Sequence, residues 1–274
     1  MVNRAKDAAA TERVGIIGVG EMARAMVEGL CEGNENPPQI FLSPRGAGAA
    51  AELAGRFPTV RVCSGNQDVI DRAALIVIAV RPDQRAEALT GLTVPADREV
   101  VSVLAGVAID EVRRLLGTRA PVVRAIPLPA VRGRTSVTVI CPDRPAAAAL
   151  FGTLGGALPL ADEASFNVFS ALTGTITSHY AYLATLTEWA AGHGVPAEDA
   201  DRYLRGLFQD VGRALGDGSR PLPRLVGDHE TPNGSNERVR TTWFDEKNAA
   251  ALKEALDALL AHLGGAGRRT PDMP

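Results

Sequence analysis

The 274-residue sequence has few cysteines, few aromatic side chains and no long apolar run. Its cysteines, Cys31, Cys63 and Cys141, are widely spaced without a C-x-x-C pair, which argues against a zinc site or a disulfide framework and favours a reducing cytoplasm. The sequence has no pair of histidines at the H-x-x-x-H spacing of metal ligands. No apolar run reaches the ~18 residues of a membrane span. The net charge of −3 gives no basic field for nucleic acid or an anionic membrane.

The first half contains short, β-rich apolar segments separated by amphipathic stretches. Segments of this kind are typical of strands buried on both faces of a parallel sheet, and they lie at 14–18, 39–43, 74–80, 99–105 and 121–126. The amphipathic stretches predict helices at 22–31, 48–56 and 109–116, and a late strand is predicted at 135–141. This alternation predicts an α/β fold with a Rossmann-type doubly wound sheet.

The second half predicts only helices. They are expected over 170–193, over 198–215 and from about 237 to 263, with a loop at 217–224. The predicted organisation is a disordered lead-in at 1–13, a dinucleotide-binding domain at 14–160, an all-α dimerisation and substrate domain at 161–263, and a disordered tail at 264–274.

A glycine loop follows the first predicted strand. Gly18 permits a tight turn, and Gly20 lets the backbone approach a pyrophosphate. Glu21 and Met22 begin the next helix, whose N-terminal N–H groups and dipole suit that anion. Ala23 replaces the third glycine of the usual fingerprint and is small enough for close helix–strand packing.

The end of the second strand distinguishes the two nicotinamide cofactors. A carboxylate at this position would accept hydrogen bonds from the ribose 2′-OH of NADH. The sequence has Ser43 and Arg45 instead, and a hydroxyl with a guanidinium suits the 2′-phosphate of NADPH. The alternative is that Arg45 is simply an exposed loop residue.

With these motifs in hand, the chain resembles the pyrroline-5-carboxylate reductase family from residue 14 to about residue 213. Three further segments carry the resemblance and imply cofactor contacts: Asn66 in Ser-Gly-Asn, the loop Ala79-Val80-Arg81-Pro82, and the turn containing Ala105 and Gly106. The strand 123–127 also matches the family's pattern. The resemblance implies NADPH-dependent reduction of a small imine. It also implies a homodimer whose helical domains interlock, so that each active site is built from two chains.

The segments that correspond to the family's substrate site depart from its pattern. The family reads M-P-N-T-P-A, S-G-S-G-P-A-Y and P-G-G-T-T, whereas this chain has Ile-Pro-Leu-Pro-Ala, Thr-Gly-Thr-Ile-Thr-Ser-His-Tyr and Pro-Asn-Gly-Ser-Asn-Glu. Larger polar residues thus replace small residues and backbone N–H groups suited to a cyclic amino-acid carboxylate. The substrate is left open between pyrroline-5-carboxylate, another imine and a carbonyl compound.

The catalytic candidates lie in these altered segments. His179, in a cluster of hydroxyls that includes Thr175, could donate a proton to a developing alkoxide, and Asn236 could hold the substrate. The structural alternatives are that His179 is a helix residue bonded to a neighbouring hydroxyl, or simply exposed, and that Asn236 caps a helix. A carbonyl reductase resembling β-hydroxyacid dehydrogenases, with His179 as acid, and a non-catalytic NADPH-binding protein are the competing functions.

Overall fold

The structure is a computed structural model that describes residues 11–266. Most of the predicted lead-in and tail therefore lies outside the described residues. The chain divides into two compact units, which are described separately: one extends to Ser170 and includes the chain from Ala261, and the other is Ala171–Leu260.

The first unit contains an eight-stranded sheet in the order β3-β2-β1-β4-β5-β6-β7-β8. The strands are β1 (Arg13–Ile17), β2 (Gln39–Leu42), β3 (Val60–Val62), β4 (Leu75–Ile78), β5 (Glu99–Ser102), β6 (Val122–Ile126), β7 (Thr138–Cys141) and β8 (Ala157–Pro159). All neighbours from β3 to β6 pair in parallel, β7 is antiparallel to β6, and β8 is parallel to β7. This topology confirms the predicted α/β, Rossmann-type fold.

Helices cover both faces of this sheet. They are α1 (Glu21–Cys31), α2 (Ala47–Arg56), α3 (Asn66–Arg72), α4 (Arg85–Leu89), α5 (Ile109–Leu116), α6 (Pro145–Thr153) and α7 (Glu163–Thr173), the last of which ends beyond this unit. Because side chains alternate along a strand, Leu75 and Val77 belong to one core cluster, whereas Ile76 and Ile78 belong to another. Burial on both faces explains why β4, with the sequence Leu-Ile-Val-Ile, is apolar throughout.

The second unit consists of helices. They are α8 (Thr175–Gly192), α9 (Ala197–Leu215), α10 (Leu222–Asp228), α11 (Ser235–Trp243) and α12 (Glu246–Ala266), which ends beyond this unit. Within the described residues, no helix is both long enough and apolar enough to span a membrane.

The continuous helix predicted over 170–193 is wrong, because α7 and α8 are separated at Gly174. A Cβ on Gly174 would lie 2.9 Å from Leu259 Cδ2, so the glycine permits close packing of α12. The Thr175 hydroxyl donates to the Leu172 carbonyl at 2.7 Å and gives the broken turn a local partner.

Two further details of the second half were also predicted wrongly. The last helix is interrupted after Trp243, where Asp245 Oδ1 accepts a hydrogen bond from Asn248 N–H at 2.8 Å and caps α12. The predicted loop 217–224 ends early, because α10 begins at Leu222, directly after Pro221. Proline is compatible with the start of a helix, since the first helical N–H groups have no intrahelical acceptor.

Candidate cofactor site at the carboxyl edge of the sheet

The glycine loop connects β1 to α1. Gly18 has φ +94°, and a Cβ on it would lie 2.7 Å from the backbone nitrogen of Val80. Its N–H donates to Ser43 Oγ at 2.9 Å. The loop therefore lies against the ends of β2 and β4, and a side chain at Gly18 would overlap the residues that follow β4.

Gly20 is the residue before α1, and no atom lies within 4 Å of the position of a Cβ there. Glu21 and Met22 follow as the first helical residues, so their backbone faces the same end of α1. Open space beside a helix N-terminus fits a pyrophosphate held by backbone N–H groups. Ala23 is buried in the core beneath, where a larger residue would separate helix and strand.

The loop after β2 brings Ser43 and Arg45 to the same edge. Ser43 is fully buried, and its hydroxyl accepts the Gly18 N–H, so it holds the glycine loop. Arg45 is about half exposed, with Nη1 3.0 Å from Oε1 of Glu87 on α4. Of the two side chains, only Arg45 has the exposure to reach an external phosphate.

The remaining cofactor candidates lie after β3, β4 and β5. Asn66 begins α3, and its Nδ2 donates to the Ala88 carbonyl of α4 at 3.0 Å. The Ala79 N–H donates to the Ile17 carbonyl at 2.8 Å. This bond joins the end of β4 to the start of the glycine loop, and Val80 is the next residue along the chain.

Arg81 and Pro82 continue the chain after β4. Arg81 is 76% exposed and lies 3.2 Å from Asp83, and Pro82 begins a short 3₁₀ turn (Pro82–Gln84). Ala105 and Gly106 follow β5, where Gly106 has φ +70° and open space at its Cβ position. The structure thus places every cofactor candidate on a loop or helix start at the carboxyl edge, where a doubly wound sheet binds ligands.

Sequence reasoning missed a buried polar cluster on the same sheet. The Arg124 side chain on β6 is 4% exposed, and it donates to Glu163 Oε1 at 2.9 Å and to Asn167 Oδ1 at 3.1 Å. Its guanidinium lies 4.3 Å from the Phe166 ring centroid, and Glu163 also accepts the Ile109 N–H. An arginine within an apolar strand was the available signal, because a buried charge requires a partner.

The catalytic candidates belong to the second unit. His179 is exposed on α8, with its ring centroid 5.6 Å from that of Phe208 in an edge-on contact and 6.5 Å from that of Tyr182. Thr175 is the first residue of α8, and its hydroxyl bonds the preceding turn. His179 thus contacts aromatic rings, and its catalytic role stays a prediction.

Asn236 is the second residue of α11, and Gly234 occupies the cap position. The Asn236 side chain donates to the His229 carbonyl at 2.7 Å, and Glu237 Oε2 accepts the Asn233 N–H at 2.5 Å. Both polar side chains are thus bonded to the loop that precedes their own helix. Among the residues that the structure describes, no group of three or more His, Cys, Asp or Glu side chains is placed to hold a metal ion.

Several known proteins are similar to this chain in sequence. The family described as NADP oxidoreductase coenzyme F420-dependent matches residues 13–106. A pyrroline-5-carboxylate reductase of Pseudomonas aeruginosa is 28% identical over 262 residues, which cover 90% of this chain and 94% of that protein. The enzyme of that name from a Synechocystis species is 31% identical over 193 residues, covering 68% and 70%.

A solved structure shows the same fold. The pyrroline-5-carboxylate reductase of Coxiella burnetii superposes with a TM-score of 0.79 at 20% identity, covering 95% of this chain and 100% of that one. Fold and glycine loop together define the class, an NAD(P)H-dependent oxidoreductase with a Rossmann-type domain. Within that class, the chain belongs to the pyrroline-5-carboxylate reductase family, which confirms the resemblance found in the sequence.

Proposed function

We propose that this chain reduces the C=N bond of a small imine with NADPH. The observation that carries the proposal is the arrangement at the end of β2. There Ser43 fixes the glycine loop through Gly18, and the exposed guanidinium of Arg45 stands at the position where an NADH-binding protein has a carboxylate. Family membership supports reduction as the reaction, because the relatives are named as pyrroline-5-carboxylate reductases.

The cofactor part of the proposal has a direct test. Charge-assisted contacts to phosphate contribute about 1.5–3 kcal/mol, so Arg45→Ala should reduce the preference for NADPH over NADH by about tenfold or more. Titration calorimetry with both cofactors measures the ratio. Equal affinity for the two cofactors in the unchanged protein would contradict NADPH as the cofactor.

The substrate is proposed to be an imine without the carboxylate of pyrroline-5-carboxylate. In the segment that corresponds to the family's substrate loop, the Asn233 N–H is already bonded to the Glu237 carboxylate. An acidic side chain there repels a substrate anion and occupies a backbone donor that such an anion would use. Glu237 thereby favours a neutral or protonated imine.

Reduction of a protonated imine requires no proton donor among the protein's side chains. When bound, NADPH supplies a hydride to the imine carbon. An imine that is protonated in solution already has the proton its nitrogen needs, so residues such as His179 would position it. A ketone would instead require a general acid.

A substrate panel separates these possibilities. NADPH oxidation followed by absorbance should be fastest with 1-pyrroline, slower with pyrroline-5-carboxylate, and slowest with 2- and 3-oxo acids. Turnover of oxo acids alone would make the chain a carbonyl reductase. A protein that binds NADPH and turns over none of these compounds would support the non-catalytic alternative.

The proposed active form is a homodimer in which each active site takes residues from both chains. Exposed apolar side chains recur every fourth residue along α9, at Tyr203, Leu207, Val211 and Leu215. An apolar groove also runs between α8 and α11, lined by Ser178, Ala181, Tyr182, Thr185, Leu186, Trp189, Val239 and Trp243. Continuous apolar surface of this kind is typical of subunit interfaces.

A further inference from the structure

The cofactor site contains an acidic side chain that no cofactor motif includes. Glu87 lies on α4, and its Oε1 is 3.0 Å from Nη1 of Arg45. The side chains of Arg45 and Glu87 are 48% and 69% exposed, so both can be reached by a bound molecule. The pair joins two segments that are 42 residues apart in the sequence, so no local pattern could have revealed it.

The position of α4 places Glu87 beside the other cofactor candidates. The Asn66 side chain donates to the carbonyl of Ala88, the residue after Glu87. The chain also reaches α4 directly from the loop after β4, which contacts the glycine loop through Gly18. Glu87 therefore lies on a short helix that is bonded to Asn66 and that follows the loop after β4 along the chain.

We infer that Glu87 is a specificity-determining residue that weakens the preference of this site for NADPH. The inference rests on the proposed role of Arg45 at the 2′-phosphate. To contact that phosphate, the guanidinium must exchange its carboxylate partner for it, while the Glu87 charge repels the incoming dianion. The free 2′-OH of NADH meets no such repulsion and can donate a hydrogen bond to the same carboxylate.

The test is to remove the negative charge of Glu87 with a side chain of the same shape. Glu87→Gln should raise the ratio of NADPH affinity to NADH affinity by about fivefold, a size set by exposed ion pairs. Affinities are measured by titration calorimetry, and 2′,5′-ADP and 5′-AMP, which differ only in the 2′-phosphate, serve as probes of the same subsite. The gain in affinity should be larger for 2′,5′-ADP than for 5′-AMP, and it should shrink as salt is added.

The matched control is Glu32→Gln. Glu32 is also exposed and 3.8 Å from an arginine, Arg56, but it follows the C-terminal end of α1, away from the carboxyl edge of the sheet. Its substitution removes the same charge and should leave the affinity ratio within about twofold of the unchanged protein.

The outcomes separate the two proposals. If Arg45→Ala lowers the ratio and Glu87→Gln leaves it unchanged, the inference about Glu87 is wrong and the cofactor site stands. If neither substitution changes the ratio, the phosphate site itself is wrong and the inference fails with it. If Glu87→Gln and Glu32→Gln raise the ratio equally, the effect is one of net charge and contradicts a specific role for Glu87.

Discussion

The two units of this chain differ most in how they bury apolar side chains. The first unit contains the largest fully buried residues, with Phe151 and Ile16 in one of its two core clusters and Ile70 and Ile76 in the other. Within the described residues, Ala171–Leu260 contributes only Ala171 and Ala200 to the buried apolar set. A single chain thus completes the core of its cofactor unit, whereas its helical unit leaves apolar surface without a partner.

The largest expected effect comes from placing charged residues on the exposed apolar face of α9, which contains Tyr203, Leu207, Val211 and Leu215. In the middle of this face, Leu207 and Val211 are 44% and 41% exposed. The double variant Leu207→Glu/Val211→Glu should raise the dimer dissociation constant by about 10²-fold or more, because two carboxylates would have to be buried without partners. Sedimentation equilibrium measures the constant.

Folding and assembly can be separated in this experiment. Because both residues are exposed in the single chain, the helical circular-dichroism signal should persist in the variant. Val62→Glu, at a residue that is 42% exposed on β3 of the first unit, is the control and should leave the oligomeric state unchanged. An unchanged protein that sediments as a monomer at micromolar concentration would remove the proposed dimer.

A smaller effect is expected from the tight packing of the first unit. Gly18→Ala should cost about 2–4 kcal/mol of stability, because a Cβ adds strain at positive φ and overlaps Val80. Cofactor binding should weaken by about 10²-fold as the loop shifts. Urea unfolding and calorimetry measure the two effects.

Gly91 provides the matched control. It has φ +83°, close to the φ of +94° at Gly18, but no atom lies within 4 Å of its Cβ position. Gly91→Ala should therefore cost about 1 kcal/mol, the strain alone. Equal losses at both positions would mean that contact with the ends of the neighbouring strands does not constrain the glycine loop.

The contrast between the buried first unit and the exposed second unit also explains how much of the fold the sequence could predict. Strands buried on both faces are mostly apolar, so they were predicted. The three-residue strands β3 and β8 were missed, because each has two exposed residues. The glycine loop was predictable because its chemistry is local in sequence. Pairs such as Arg45 with Glu87 depend on the tertiary fold.

In the second half, helices were predictable as a class but their interruptions were not. The break falls at Gly174, where a Cβ would lie 2.9 Å from Leu259 Cδ2, an atom of a residue 85 positions away in the sequence. A lone glycine in a helical pattern is often tolerated, so sequence alone gave no reason to end the helix there. The catalytic roles of His179, Thr175 and Asn236 in this half remain predictions.

A prediction for the second unit concerns His179. If the substrate is an imine, His179→Gln should raise KM by about three- to tenfold and leave kcat within about threefold, since positioning is lost and proton transfer is not required. His262→Gln, an exposed histidine on α12, is the control. A fall in kcat of about 10²-fold or more would instead assign His179 a general-acid role and favour carbonyl reduction.

The smallest expected effect is a pH dependence at the start of α3 in the first unit. Asp68 Oδ2 accepts hydrogen bonds from the Ser64 N–H at 3.0 Å and the Ser64 hydroxyl at 3.1 Å, and Arg72 Nε donates to its other oxygen. The bond from the Ser64 N–H, followed by the contact with Arg72, lowers the pKa of the Asp68 carboxyl to about 2. These bonds stabilise the ionised form in the folded chain alone.

The sign of the effect follows from the direction of that shift. A carboxyl whose pKa is lower in the folded chain than the ordinary value of about 3.9 adds stability above that value, and it loses this stability as the pH falls toward 2. Asp68→Asn should therefore lower the urea midpoint at pH 6, and the difference from the unchanged protein should narrow below pH 4. The control is Gln67→Ala, which removes an uncharged side chain of the same helix that is bonded to the backbone of Thr93, and its effect should not narrow in this way. If the Asp68 difference stayed constant down to pH 2, the capping contact would contribute through packing, and the ionised carboxylate would have no special role at the start of α3.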